Sequence, residues 1–135
     1  MSDIIEGGRG TRGTVTAEAV VVPGPFTFFG GVDWDTGVLT LPGDDADGLS
    51  IAGKVFVFTM LPGGQGTAWK IKEMVDKGTA PAAIVVQSVN YVLLSACVLA
   101  RVPLVGDFGV DPALTFSTGR YLTVDAEAGS VGIAA

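Results

Sequence analysis

The sequence predicts an α/β domain in which a β-sandwich-like or barrel-like layer carries two packed helices. Three observations predict it. Short apolar or alternating runs broken by Gly, Pro and Asp fill the first part of the chain, as strands and turns do. From Lys54 onward the pattern alternates as β-α-β-α-β. The last pattern is a hairpin, with Tyr121-Leu122-Thr123-Val124-Asp125 and Ser130-Val131-Gly132-Ile133 flanking Glu127-Ala128-Gly129. With 135 residues, the whole span 1–135 reads as a single domain able to bury a core.

Each element has a local reason. Thr14 to Val22 alternates and then turns fully apolar, which fits a strand stopped by Pro23-Gly24-Pro25. Val38 to Leu41 is short and β-prone, and 42–48 is a polar surface loop. Leu49-Ser50-Ile51 and Lys54 to Met60 read as the next strands, the second central because it is nearly all apolar. Leu61-Pro62-Gly63-Gly64-Gln65-Gly66 is a flexible loop. Thr67 to Lys77 follows as a helix, with Ala68, Ile71, Met74 and Val75 on one face, Gly78 at its end and Pro81 beyond. Ala82 to Gln87 is a buried strand. Tyr91 to Ala100, apolar throughout, is a helix that is buried or pressed against a partner, and Val102 to Val105 is a short strand.

Composition limits the chemistry. The net charge of −6 argues against a general nucleic-acid or anionic-membrane binder, which needs a basic face. The chain has no His, so it holds neither a Ser-His-Asp triad nor a histidine-ligated zinc of its own. Its one cysteine, Cys97, cannot ligate an iron–sulfur cluster alone, and in an apolar helix it reads as an inert core thiol. No secretory leader is expected at Met1 to Glu6, and no apolar run is long enough to cross a bilayer, so the chain reads as cytoplasmic.

Several motifs carry competing readings. Gly8-Arg9-Gly10-Thr11-Arg12-Gly13 spells a dinucleotide fingerprint but lacks the strand before and the helix after it, so it reads as a flexible or turn-forming leader. Asp33, Asp35, Asp44, Asp45 and Asp47 miss calcium-loop spacing and read as solvated turn carboxylates. Phe26 to Asp33 is either a core strand and turn or an aromatic wall, with Gly30 and Gly31 offering backbone donors to a ligand. Gly63-Gly64-Gln65-Gly66-Thr67 lies between a buried strand and a helix start. Such a place suits a carboxylate or phosphate, and the plainer reading is that Thr67 caps the helix.

These residues, taken together, resemble the aconitase X small subunit. Pro25-Phe26-Thr27-Phe28-Phe29-Gly30-Gly31-Val32-Asp33 with Thr36-Gly37 is similar to that family's Ser-Phe-Trp-Gly-Gly-Val-Asp…Thr-Gly signature. Gly48 to Val55 is similar to its Gly-x-Ser-Leu-x-Gly-Lys segment, and Gly78 to Val85 to its Gly-x-Ala-Pro-Ala-Ala-Ile stretch. Gly64-Gln65-Gly66-Thr67 falls where the family has Gly-Arg-Gly-Ser, and the resemblance runs in order from about Arg9 to Val105. It implies a swivelling β/β/α domain that pairs with, or is fused to, a large subunit holding an iron–sulfur cluster. It also implies removal of water from a small hydroxy acid, such as cis-3-hydroxy-L-proline or mevalonate 5-phosphate. The role of the family's loop serine, moving a proton on the substrate, falls by position to Thr67. Gly64 and Gly66 would then supply backbone donors and Gln65 would orient the substrate.

Two departures from the pattern shape the expectation. Gln65 in place of Arg removes a charge-assisted grip on an anionic group, and Trp69 near the loop implies a reshaped, more apolar pocket. The resemblance therefore implies a hydro-lyase small subunit, inactive without its large subunit, whose substrate meets this domain through a less charged group. Lys70, one turn on, would restore the charge, and its simpler reading is a solvated lysine. The competing reading is a non-catalytic binding or assembly module on the same fold, with Tyr91 to Ala100 as a homo-oligomer interface.

Overall fold

The computed structural model describes residues 4–64 and 66–134. Its strands are β1 (Ile4–Gly10), β2 (Thr14–Pro25), β3 (Val55–Met60), β4 (Ala83–Val86), β5 (Leu104–Phe108), β6 (Tyr121–Asp125) and β7 (Ser130–Ile133). Helix α1 (Thr67–Lys77) lies between β3 and β4, α2 (Tyr91–Ala100) between β4 and β5, and the short α3 (Pro112–Thr115) between β5 and β6. The strands close a barrel in the order β1-β5-β4-β3-β2-β6-β7. Pairings β2–β3, β3–β4 and β4–β5 are parallel, and β6 and β7 join antiparallel to each other and to β2 and β1. The expected barrel-like layer with two packed helices is thus a closed barrel with α1 and α2 on its parallel side.

The run Val55-Phe56-Val57-Phe58 shows how the sequence builds two cores from one strand. Val55 and Val57 join Val21, Ala83, Val85, Val105, Leu122 and Val131 in the barrel interior. Phe56 and Phe58 point the other way, into a second core with Val20, Val22, Ile84, Val86 and Leu104. That outer core is covered by Ile71 and Met74 of α1 and by Leu93, Ala96 and Cys97 of α2. From β3, the smaller valines enter the barrel and the larger phenylalanines meet the outer core. Burial on both faces explains why a parallel strand reads as an unbroken apolar run.

Some elements depart from the sequence expectation. The glycine-rich leader is a strand: β1 pairs with β5 through Gly7↔Phe108 and Arg9↔Gly106, and with β7 through Ile4↔Gly132. Glycine is needed there because a Cβ on Gly7 would overlap the Gly106 carbonyl oxygen. β2 also runs on through Pro23-Gly24-Pro25 instead of stopping. A register shift between Val22 and Pro25 absorbs the prolines, and the Gly24 N–H donates to Thr59 Oγ1 at 2.9 Å. Leu49-Ser50-Ile51 and Val38 to Leu41 form isolated bridges, Val38↔Ser50 and Val32↔Leu39, within the long 26–54 connection rather than strands. The carboxylates in this connection serve its turns: Asp33 accepts from Asp35 N–H, Asp44 from Ala46 N–H and Asp47 from Leu41 N–H.

Helix α2 is half covered. Leu93, Ala96, Cys97 and Ala100 are buried, whereas Val98 and Leu99 stand exposed. No helix among the described residues is long and apolar enough to cross a membrane.

Candidate functional site

The loop 61–66 leaves the carboxyl end of β3 and opens α1, the usual place for a ligand in a sheet with parallel strands. Its conformation depends on glycine. Gly63, Gly64 and Gly66 have φ of 59°, 104° and 85°, a region other residues enter at a cost. Gly66 is the N-cap of α1 and has no side chain with which to cap. Thr67 therefore sits one position inside the helix. This corrects the reading of Thr67 as a cap: its Oγ1 points inward, the residue is 0% exposed, and the hydroxyl has no hydrogen-bond partner among the described residues. Burying a hydroxyl unpaired costs about 1–3 kcal/mol, so its retention here needs a reason beyond folding.

Gly64 lies directly over that hydroxyl. A Cβ on Gly64 would sit 2.9 Å from Thr67 Oγ1 and 2.8 Å from Leu61 Cδ2. Gly66 in turn packs against Phe29, whose Cζ would be 3.0 Å from an added Cβ. The structure thus brings Gly64, Gly66 and Thr67 together with the Phe26–Asp33 segment. First-turn amides are partly committed: Thr67 N–H donates to the Gly64 carbonyl at 3.0 Å, and the N–H groups of Trp69 and Lys70 donate to the Gly66 carbonyl at 3.1 and 3.2 Å. Gln65 lies outside the described residues.

The Phe26–Asp33 segment divides between its two readings. Phe26 and Phe28 are core residues in edge-on contact, with ring centroids 5.2 Å apart. Phe29 is 40% exposed and forms the aromatic wall beside the loop, edge-on to Trp34 at 5.7 Å. Gly30 is exposed, and a Cβ there would meet open space. Gly31 is buried, and a side chain there would overlap the Thr27 carbonyl oxygen and the Phe26 ring. Gly31 therefore makes the turn possible, while Gly30 presents backbone at the surface. The segment is fastened to α1 and its end by Lys77 donating to Asp35, and by Thr79 Oγ1 donating to the Trp34 carbonyl at 2.7 Å.

Trp69 and Lys70 differ in placement. Trp69 is 79% exposed, so its indole faces outward beside the loop. Lys70 Nζ rests 3.7 Å from the Trp34 ring centroid and 3.7 Å from Glu73 Oε1. Its charge is engaged there rather than at the loop.

Sequence reasoning missed Asn90. Its Nδ2 donates to the Leu61 carbonyl at 2.7 Å, which ties the loop to the start of α2. The signal was present, since Asn immediately before an apolar run is a helix-start signature. A cavity of about 600 Å³ lined by Thr11, Arg12, Cys97, Val98 and Arg101 lies at the opposite end of α2. Burial pushes the Cys97 thiol there up to about 12.

The closed barrel, the two helices on one side and the glycine loop at a helix start define a swivelling β/β/α domain. Residues 4–133 match the family described as the aconitase X swivel domain, and the chain belongs to that family. It is 36% identical to the phosphomevalonate dehydratase small subunit of Pyrococcus furiosus, over 95% of this chain and 94% of that one. It is 41% identical to the protein of the same name from Methanopyrus kandleri, over 67% of each. Among solved structures, aconitase X of Thermococcus kodakaraensis in its holo form superposes with a TM-score of 0.88 at 31% identity, covering 98% of both chains.

Proposed function

We propose that this chain is the small subunit of a hydro-lyase that dehydrates a small hydroxy acid in a site shared with a large iron–sulfur subunit. One observation carries the reading. In a chain of this family, the glycine loop encloses a threonine hydroxyl that has no partner among the described residues. Functional sites keep such groups at a cost to stability. Similarity to small subunits of phosphomevalonate dehydratase supports the reaction class and makes mevalonate 5-phosphate the first substrate to test.

Dehydration breaks a C–O bond and a neighbouring C–H bond, forms a C=C bond, and releases the hydroxyl with a proton as water. Thr67 Oγ1 takes or returns the proton. A neutral hydroxyl is a weak base, so its alkoxide needs stabilisation. The start of α1 supplies part of this through the helix dipole, and the partner supplies the rest. Gly64 and Gly66 allow the backbone to approach the substrate closely, Gln65 orients it, and Gly30 and Gly31 shape the adjoining turn beside Phe29. Trp69 borders the opening.

An iron–sulfur cluster does not fit this chain. It has no His and a single Cys, which is buried, and the described residues contain no group of three or more His, Cys, Asp or Glu able to hold a metal. In this reading the cluster belongs to the large subunit. The outward-facing Trp69 and the 40%-exposed Phe29, both near the loop, give that subunit apolar surface to close upon. The test is co-expression with an aconitase X-type large subunit, purification of the pair, and turnover of mevalonate 5-phosphate and cis-3-hydroxy-L-proline. Thr67→Ala should abolish turnover in an intact complex. Full turnover in that variant removes Thr67 from the chemistry.

A further inference from the structure

The Asn90 side chain performs two separable tasks. Its Oδ1 accepts from the Leu93 N–H at 2.8 Å and caps α2. Its Nδ2 faces the other way, donating to the Leu61 carbonyl at 2.7 Å and reaching the Gly63 carbonyl at 3.5 Å. Capping requires only the oxygen, which Asp or Ser supplies as well. The amide is therefore spent on the loop.

What it holds is the cover over Thr67. Leu61 is buried, and its Cδ2 and Thr67 Oγ1 flank the same point above Gly64. At Gly63 the loop is exposed, and a Cβ there would meet nothing within 4 Å. With Thr67 fully buried, the loop must shift before the hydroxyl can touch a substrate, and it must return to the same place. A link from rigid α2 to the loop's first carbonyls gives that motion a fixed end.

We propose that Asn90 is a positioning residue, whose amide holds the glycine loop over Thr67 and sets the geometry in which the threonine hydroxyl meets the substrate. The proposal rests on the reading of Thr67 as the proton-moving group. Asn90→Asp tests it in the assembled complex, because it keeps the capping oxygen and removes the donor. Asn90→Ser does the same without adding charge, and serves if the Asp variant fails to assemble.

Two readouts are needed. Amide exchange at Thr67, whose N–H donates to the Gly64 carbonyl at 3.0 Å, should rise about ten-fold or more while Leu93 and Leu94 stay protected, as expected when a local anchor is lost and the helix remains. kcat should fall about ten-fold, the scale of a slight misplacement of a reacting group, with the thermal midpoint within about 2 °C of the parent. Unchanged exchange at Thr67 overturns the proposal. So does a midpoint that drops in parallel with kcat, which marks a structural role. Unchanged kcat in Asn90→Asp beside lost kcat in Thr67→Ala overturns the positioning role and leaves the dehydratase reading standing. Full kcat in Thr67→Ala overturns both.

Discussion

Replacing Thr67 by valine removes one hydroxyl and keeps the branched shape of the side chain. The hydroxyl is fully buried and has no partner among the described residues. Relieving an unpaired buried polar group is worth about 1–3 kcal/mol. Valine and threonine have similar helix propensities, so the backbone term nearly cancels. A methyl is slightly wider than a hydroxyl beneath Gly64, which discounts the gain to about 1–2 kcal/mol. For 135 residues that corresponds to a rise in the thermal midpoint of about 3–10 °C. Calorimetry of Thr67→Val and the parent, each as the 135-residue chain alone, measures it. Turnover should move oppositely: lost in Thr67→Val and kept in Thr67→Ser, which restores the oxygen. A midpoint equal to or below that of the parent refutes the reasoning, because the hydroxyl then has a stabilising role. A stable variant with full turnover refutes the catalytic assignment instead.

Three further outcomes follow from the geometry. Gly7→Ala, which drives a Cβ into the Gly106 carbonyl at the β1–β5 seam, should destabilise by about 1–3 kcal/mol in urea titration; an unchanged midpoint would show that the seam can open freely. Cys97, buried and with its thiol pushed up to about 12, should resist alkylation at pH 8 in the native chain and react fully once unfolded; rapid native labelling would contradict its burial. Gln65→Arg should improve turnover of substrates that present a strong anion to the loop, by ten-fold or more if a charge-assisted bond of about 1.5–3 kcal/mol forms. Efficient use of mevalonate 5-phosphate by the parent, with no change in Gln65→Arg, would refute the idea of a less charged contact.

Helix α1 was fully legible because its boundaries carry strong local chemistry: a glycine loop before Thr67, an amphipathic face through Ile71 and Met74, and Gly78 after Lys77. Strands β3 and β4 were legible from their unbroken apolar runs, and the β6–β7 hairpin from its turn residues, whereas β5 begins at Leu104 and runs on through Gly106 and Asp107 to Phe108 instead of spanning Val102 to Val105. β1 was not legible, since Gly7, Gly8 and Gly10 disguise a strand as a leader. The demand for glycine comes from a neighbour remote in sequence, Gly106, which no local pattern reveals. For the site, the position of Thr67 could be read by resemblance, but its inward orientation could not. That orientation follows from the left-handed Gly66, which makes glycine rather than threonine the N-cap. Asn90 announced a helix start, while its second bond joins positions 29 residues apart and so escaped a local reading.

The barrel closes through β1, which pairs with β5 and β7 near the opposite end of the sequence. During synthesis β1 waits, unpaired, for partners made much later. Until Ser130–Ile133 appears, the β-α-β-α-β half can assemble while the seam stays open and its strand edges are exposed. Closure of the barrel is therefore gated by the synthesis of β7. The interval before β7 emerges, when a still open sheet is most prone to foreign pairing, is when a chaperone would have most effect on yield.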